Sequence, residues 1–582
     1  MIRLWTTQQG EQMNITKLSL TNFRSFKKTQ TIEFAPTTLL FGPNSAGKST
    51  ILMAFFYIQH ILEKGNCDPQ YISALGDKYI GGFKNLVHGR DITKPIKIKI
   101  EFEKDSIGST YFDPSDVVPN IHELESICAQ MPEVMYETKN IAVEFTIEWS
   151  RVNRKAYVSE YGVWLNNDFI SRVTCDSGMK TTLITDINFK HELLQIEDEG
   201  SEFSGFEEQL ISLPIAIESF SGALPKLGRQ LKIDVEVMYF IDKILLNDLA
   251  SELLVSPLDN LYDILSNSVC IGPLRMIPNA NFQPSAEPIQ SDWYNGQAAW
   301  DRFYDAGLVL THDYNYWLSD KFDLGYKLVV NIESGSNRFA VPDISMLGDP
   351  KGGLGAVAIY KDIAGESLKM TFSSEKLEDN PQAKQVNINM DFSVQDGYLG
   401  EPGAVFKADF EGETYEVSIP EGMYLEGSKF KTREVSLWDV KNHIPVAATD
   451  VGVGISQLFP LIIAGLTQEK GFVSCEQPEL HVHPRIQVQI GDFLTQANAK
   501  ISFMIETHSE HLILRLLRRV RETTDSELPE GISPVYAKDV SIMYIEPGEN
   551  GVVAKRIEID EDGEFTTKWP SGFFGERRGE LF

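Results

Sequence analysis

The chain has 582 residues, enough for about three to four domains, and its 42% hydrophobic and 23% charged residues are those of an ordinary globular protein. Lys and Arg total 53 against 83 Asp and Glu, a formal net charge of −30. That balance works against generic wrapping of nucleic acid or docking on anionic lipid, and leaves only a local basic patch as a route to DNA.

In chain order, MIRLWTTQQGEQM has no apolar signal region, and the periodic pattern begins only at Met13, so residues 1–12 read as an extension. Alternation in ITKLSLTNF then gives way to the short apolar run Thr38–Phe41, a glycine-rich turn, and a helix of period near 3.6 over Ile51–Leu62. The segments 95–103, 141–149 and 156–165 alternate as antiparallel strands. Residues 205–266 read as helix broken by Pro214, Gly222 and Pro225, with no sustained heptad, and 355–440 returns to short strands. A glycine loop lies near 452, buried strands at 471–475 and 501–505, and a helix over Ser509–Glu522. Val451–Gln468 lacks charge but holds Ser456, Gln457, Pro460 and glycines, which argues against a membrane span. The five cysteines (Cys67, Cys128, Cys175, Cys270, Cys475) form no C-x-x-C pair and fit a reducing, cytoplasmic setting.

Chemistry concentrates at three places. Gly42-Pro-Asn44-Ser45-Ala-Gly47-Lys48-Ser49-Thr50 satisfies G-x-x-x-x-G-K-[ST] between a strand and a helix. Its backbone N–H groups and helix N-terminus suit phosphate, Lys48 the β- and γ-phosphates of ATP, and the Ser49 hydroxyl Mg²⁺. Thr449–Gln457 is a second glycine loop entering a helix. Finally, one strand ends in Glu476-Gln477-Pro478-Glu479 and another in Glu506-Thr507-His508, the layout that sets carboxylates beside phosphates at the carboxyl ends of parallel strands. His481-x-His483 with nearby Glu479 has the donors of a metal pair, whereas the resemblance named below implies instead a loop between subunits. Arg515, Arg518, Arg519 and Arg521 are expected to point outward, as a DNA or partner patch or as a solvated, ion-paired face.

The set LTNFRSF, GPNSAGKST, VGVGISQ, EQPELHVHP and ETHSEH resembles the ABC-type ATPase heads of the RecF, SMC and OLD superfamily, and within it the PtuA-like AAA ATPases of bacterial anti-phage loci. Gly272-Pro-Leu-Arg275 and the closing WPSGFFGERRGELF resemble lesser motifs of that branch. The resemblance implies an α/β, ABC-type P-loop head split by a long mixed α+β insertion. Its parts would be an N-terminal lobe at 13–100, an insertion at 101–435, a C-terminal lobe at 436–525 and a tail at 526–582. It assigns ATP to Gly42–Thr50 with Arg24, and Mg²⁺ to Ser49 and Glu476. Gly454, Ser456 and Gln457 would serve the nucleotide of an opposite subunit, and His508 would be the switch histidine. His88 lies where a glutamine usually stands. Gln477 replaces the usual catalytic carboxylate, which leaves Glu479 and Glu506 as candidate bases and implies slow hydrolysis. The implied protein is a homodimer or higher oligomer closed by ATP, with a separate effector, such as a nuclease, as partner. Two alternatives stand beside it: a RecF-like repair ATPase that binds DNA, and a non-hydrolysing scaffold. The stretch after Arg521 is too short for the Toprim nuclease domain of OLD-type proteins.

Overall fold

The computed structural model describes residues 14–103, 134–194, 213–233, 240–277, 282–285, 287–305, 313–334, 337–341, 343–348, 356–361, 367–371, 405–410, 413–418, 434–442, 444–446 and 453–567. The expected extension at 1–12, the start of the second glycine loop at 449–452 and the WPSGFFGERRGELF stretch lie outside the described residues.

The central sheet has six strands: β1 (Thr37–Phe41), β2 (Val269–Ile271), β3 (Phe472–Glu476), β4 (Ser502–Glu506), β5 (Val540–Gly548) and β6 (Gly551–Ile557), in the order β2-β3-β4-β1-β5-β6. All neighbours are parallel except the edge pair β5–β6. Every residue of β1, β3 and β4 is buried, as expected of parallel strands covered on both faces. The period of two divides their side chains. Leu40 and Met504 join one core, while Leu39, Phe41, Phe503 and Ile505 join the other.

On the first face lies α1 (Lys48–Lys64), buried on nearly every side because a second sheet covers its back. That second sheet is antiparallel and eight-stranded. Its spatial order runs Gln30–Glu33, Asn14–Thr21, Ile96–Glu103, Asn140–Ser150, Lys155–Leu165, Asp168–Cys175, Thr182–Ile187 and Ile215–Ala216. The three alternating segments expected from sequence are therefore consecutive neighbours in it. On the opposite face of the central sheet pack α2 (Val453–Thr467), α3 (Pro484–Gln496) and α4 (Glu510–Thr524). The fold is thus an α/β P-loop head of ABC type with a large inserted subdomain. The inserted strands include an antiparallel sheet of Tyr326–Ser334, Asn337–Val341, Glu434–Asp439 and Ile444–Val446.

Two placements differ from the expected boundaries. Val269–Ile271, inside the stretch taken as insertion, is the edge strand of the central sheet, and β5 and β6 extend that sheet into the stretch taken as tail. No helix among the described residues is long and apolar enough to cross a membrane, and α2 carries Pro460 in its interior.

The α4 arginines are not all outward. Arg519 is 4% exposed, because it stands on the i+3, i+7 stripe of Leu512 and Leu516. Its guanidinium donates from Nε to Asp492 Oδ1 at 2.7 Å and from Nη2 to Oδ2 at 2.9 Å. Arg515 pairs with Asp492 at 3.3 Å, Arg518 with Glu522 at 2.6 Å, and Arg521 with Glu564 at 2.8 Å. Asp492→Ala would leave Arg519 buried with Glu522 as its remaining carboxylate partner. The expected loss is about 1–3 kcal/mol, read from the urea midpoint; a change below about 0.5 kcal/mol would show that the pair contributes little.

Candidate nucleotide-binding site

The site forms where β1, β3 and β4 end together. Leaving β1, Gly42 takes φ 139°, and a Cβ there would fall 1.8 Å from the Ile545 carbonyl oxygen, so only glycine permits the turn. The loop then delivers Lys48 and Ser49 to the first turn of α1. Lys48 is buried; its Nζ donates to the carbonyls of Gly42 at 2.9 Å and Pro43 at 3.0 Å and lies 3.5 Å from Glu506 Oε1. Burial lowers the Lys48 pKa, and the charge of Glu506 opposes that shift. An open cavity of about 600 Å³ lies over this loop, lined in part by Arg24, Ser45, Gly47, Lys48, Thr50 and Glu506.

Glu476 and Glu506 are register partners at the ends of β3 and β4. The Ser49 hydroxyl lies 2.9 Å from Glu506 Oε2 and 3.3 Å from Glu476 Oε2, so one proton serves two carboxylates. Burial, and then the neighbouring charge of Glu506, push the Glu476 carboxyl above its ordinary range. Two such acids around one hydroxyl suit a hard cation, and all three donors are oxygens. Among the described residues no cluster of three His, Cys, Asp or Glu could hold a metal unaided. Magnesium in nucleotide sites needs only one or two protein carboxylates beside the phosphates.

The remaining candidates divide. Gln477 leaves β3 in the left-handed region at φ 47°, with its N–H donating to the Glu506 carbonyl at 2.7 Å. Glu479 accepts from the His508 N–H at 2.6 Å, so it supports the loop after β4 rather than lining the cavity. Burial and the Lys48 charge lower the His508 pKa, which favours the neutral ring. Arg24, at φ 48°, donates to Met53 Sδ at 3.0 Å, and its carbonyl lies 2.7 Å from His88 Nδ1. Asn44 is exposed in the loop. His481 and His483 are exposed; His483 caps α3 by accepting from the Arg485 N–H at 3.2 Å. Gly454, Ser456 and Gln457 do not line the cavity. They lie in the first turns of α2, with Ser456 only 2% exposed and a Cβ at Gly454 meeting the His481 carbonyl at 2.7 Å.

Two residues bear on Glu476 that motif spacing does not single out for this role. Tyr294 hydrogen-bonds its carboxylate, and the ring is packed so closely that a Cβ at Gly76 or Gly272 would come within 2.8 Å of it. Arg275, 6% exposed, donates to the Glu476 carbonyl at 2.5 Å. The signal for Arg275 in the sequence is its place in Gly272-Pro-Leu-Arg275, one of the lesser motifs that carry the resemblance.

Fold and site together define a P-loop ATPase domain, and an ATP-binding one. A family model described as an AAA domain matches residues 17–211, and one described as a protein of unknown function (DUF3696) matches residues 535–582. No curated protein matches the chain. Solved structures similar to it include an Smc head bound to the C-terminal winged-helix domain of ScpA (10% identity, 94% of this chain and 98% of that one, TM-score 0.34). The SMC head domain from Thermotoga maritima matches at 9% identity over 94% of this chain and 100% of that one, TM-score 0.32. RecF with ATP matches at 15% over 28% and 30%, TM-score 0.15.

Proposed function

We propose that the chain is an ATP-binding, slowly hydrolysing switch that acts as a dimer. Two heads would clamp ATP between the P-loop of one and the start of α2 of the other. The observation that carries this reading is the convergence of Lys48, Ser49, Glu476 and Glu506 beside a glutamine, Gln477. Ser49 and Glu476 would hold Mg²⁺, which when bound neutralises charge on the β- and γ-phosphates. Lys48 supplies a fixed ammonium to the same oxygens. Glu506, the carboxylate that lines the cavity, is the base that takes the proton of the attacking water; Gln477 orients that water without accepting a proton. With Ser456 buried, the backbone N–H groups of the first turn of α2 are what a partner's phosphate would meet.

The role as sensor ATPase of an anti-phage system, passing its state to a separate effector, is supported by the motif resemblance. The arginine helix lends no support to DNA binding, since each guanidinium has a carboxylate partner within the chain. The neighbouring gene distinguishes these roles: an adjacent nuclease or other toxin supports defence, and a recombination operon overturns it.

Gln477→Glu tests the slow switch. A carboxylate added beside Glu476 supplies a second base at the cost of repulsion that Lys48 and Mg²⁺ offset. Single-turnover hydrolysis is expected to rise on the order of tenfold or more, with a shorter-lived ATP dimer. An unchanged rate would show that Gln477 does not limit turnover.

A further inference from the structure

Arg275 joins two elements that the proposed function assigns to different nucleotides. Its Nη1 donates to the Gln457 carbonyl, in the second turn of α2, at 2.6 Å. Its Nη2 donates to the Glu476 carbonyl at 2.5 Å and reaches Cys475 Sγ at 3.0 Å. One planar, buried guanidinium is therefore bonded both to the end of β3, which bears the acid facing this head's own nucleotide, and to the start of α2, which faces the partner's.

The surroundings hold that geometry. Pro460 has no N–H, so the Ser456 carbonyl one turn earlier loses its helical donor. The guanidinium binds the next carbonyl along, that of Gln457, beside this interruption. The segment carrying Arg275 is fixed on both sides, by the Gly272 N–H to the Tyr294 carbonyl and the Met276 N–H to the Asn295 carbonyl, each at 2.8 Å. Gly296, at φ 81°, lets the chain pass close to both: a Cβ there would meet Pro460 Cγ at 2.9 Å and Arg275 Cβ at 3.4 Å. A Cβ at Gly454 would fall 2.7 Å from the His481 carbonyl oxygen, so the start of α2 also lies close against the loop after β3. Lysine could keep the charge but not the fork, since an ammonium cannot direct planar donors to both carbonyls in fixed geometry.

We infer that Arg275 is a positioning residue that couples the two nucleotide sites of the dimer, so that engagement of α2 by the partner's ATP sets the Glu476 end of β3 for this head's own hydrolysis. The inference rests on the ATP-clamped dimer proposed above.

Mixed dimers test it. One protomer stays able to bind and hydrolyse ATP; its partner carries either Lys48→Ala, which leaves the first protomer's α2 without ATP, or Glu506→Gln, which holds ATP against that α2 without hydrolysing it. Single-turnover hydrolysis by the first protomer is expected to be about tenfold or more faster beside Glu506→Gln than beside Lys48→Ala, and Arg275→Lys in the first protomer is expected to remove that difference while its affinity for a fluorescent ATP analogue stays within about twofold of wild type. A difference that persists with Arg275→Lys makes Arg275 a local support of Glu476 and overturns the coupling. Absence of any ATP-driven dimer in the wild-type chain overturns the clamp itself, and this inference with it.

Should Arg275→Lys fail to fold, hydrogen exchange on the wild-type chain carries the test. At concentrations where it is monomeric, Mg·ATP is expected to protect amides of both 473–477 and 454–458. Protection limited to 473–477 overturns the coupling.

Discussion

Lys48→Ala is expected to abolish tight ATP binding. The ammonium is held between two loop carbonyls and the Glu506 carboxylate, with almost no exposure, so its charge is fixed where the proposed function puts the β- and γ-phosphates. Truncating one member of a desolvated, hydrogen-bonded charge pair costs about 2–5 kcal/mol, which is roughly 30- to several-thousand-fold in Kd. The loss also leaves Glu476 and Glu506 facing each other without their nearest cation, which repels a tetra-anionic ligand further. Equilibrium titration with a fluorescent ATP analogue measures it, with the melting temperature as a control for folding. An affinity within threefold of wild type would remove the nucleotide from this loop.

Glu506→Gln carries the second large effect. Glu506 is the carboxylate that touches both Lys48 and Ser49 and lines the cavity, while Glu479 spends an oxygen on the His508 amide. Removing a general base typically costs about 10²–10⁴ in rate. The amide keeps the shape and sheds a charge that opposes phosphate, so ATP affinity is expected to hold or tighten while single-turnover hydrolysis collapses. The complementary variant Glu479→Gln is expected to change turnover by less than about tenfold, through the His508 loop. The reverse ranking would move the base to Glu479.

How much of this was legible in the sequence follows the range of the interactions. The P-loop, the strand ending in Glu476 and the strand ending in Glu506 are local runs with their own turn chemistry, and the structure brings their ends together as the pattern expected. The α4 arginines failed at Arg519, where helical period placed a charged residue on the apolar stripe and Asp492 of α3 accepted it. β5 and β6 carried a readable signal, an apolar run turning at Gly548 and Gly551, but distance in sequence hid their place beside β1. Arg275 was visible only as part of a motif. Its partners lie 182 and 201 positions away, and nothing in local spacing points across such a gap.

The position of β1 has a consequence for the making of the protein. Its hydrogen-bonded neighbours are β4 on one side and β5 on the other, both encoded near the far end of the chain. At roughly 5–20 residues per second, a ribosome leaves this strand, buried throughout in the finished fold, without either neighbour for on the order of 20–90 s. During that interval the P-loop has neither Glu476 nor Glu506 to face and lacks the central-sheet strands beside β1, so a nascent or prematurely terminated chain lacks the arrangement described. A partial product therefore lacks the assembled site, and a strand that the finished fold buries on both faces stays uncovered by its sheet neighbours until synthesis is nearly complete.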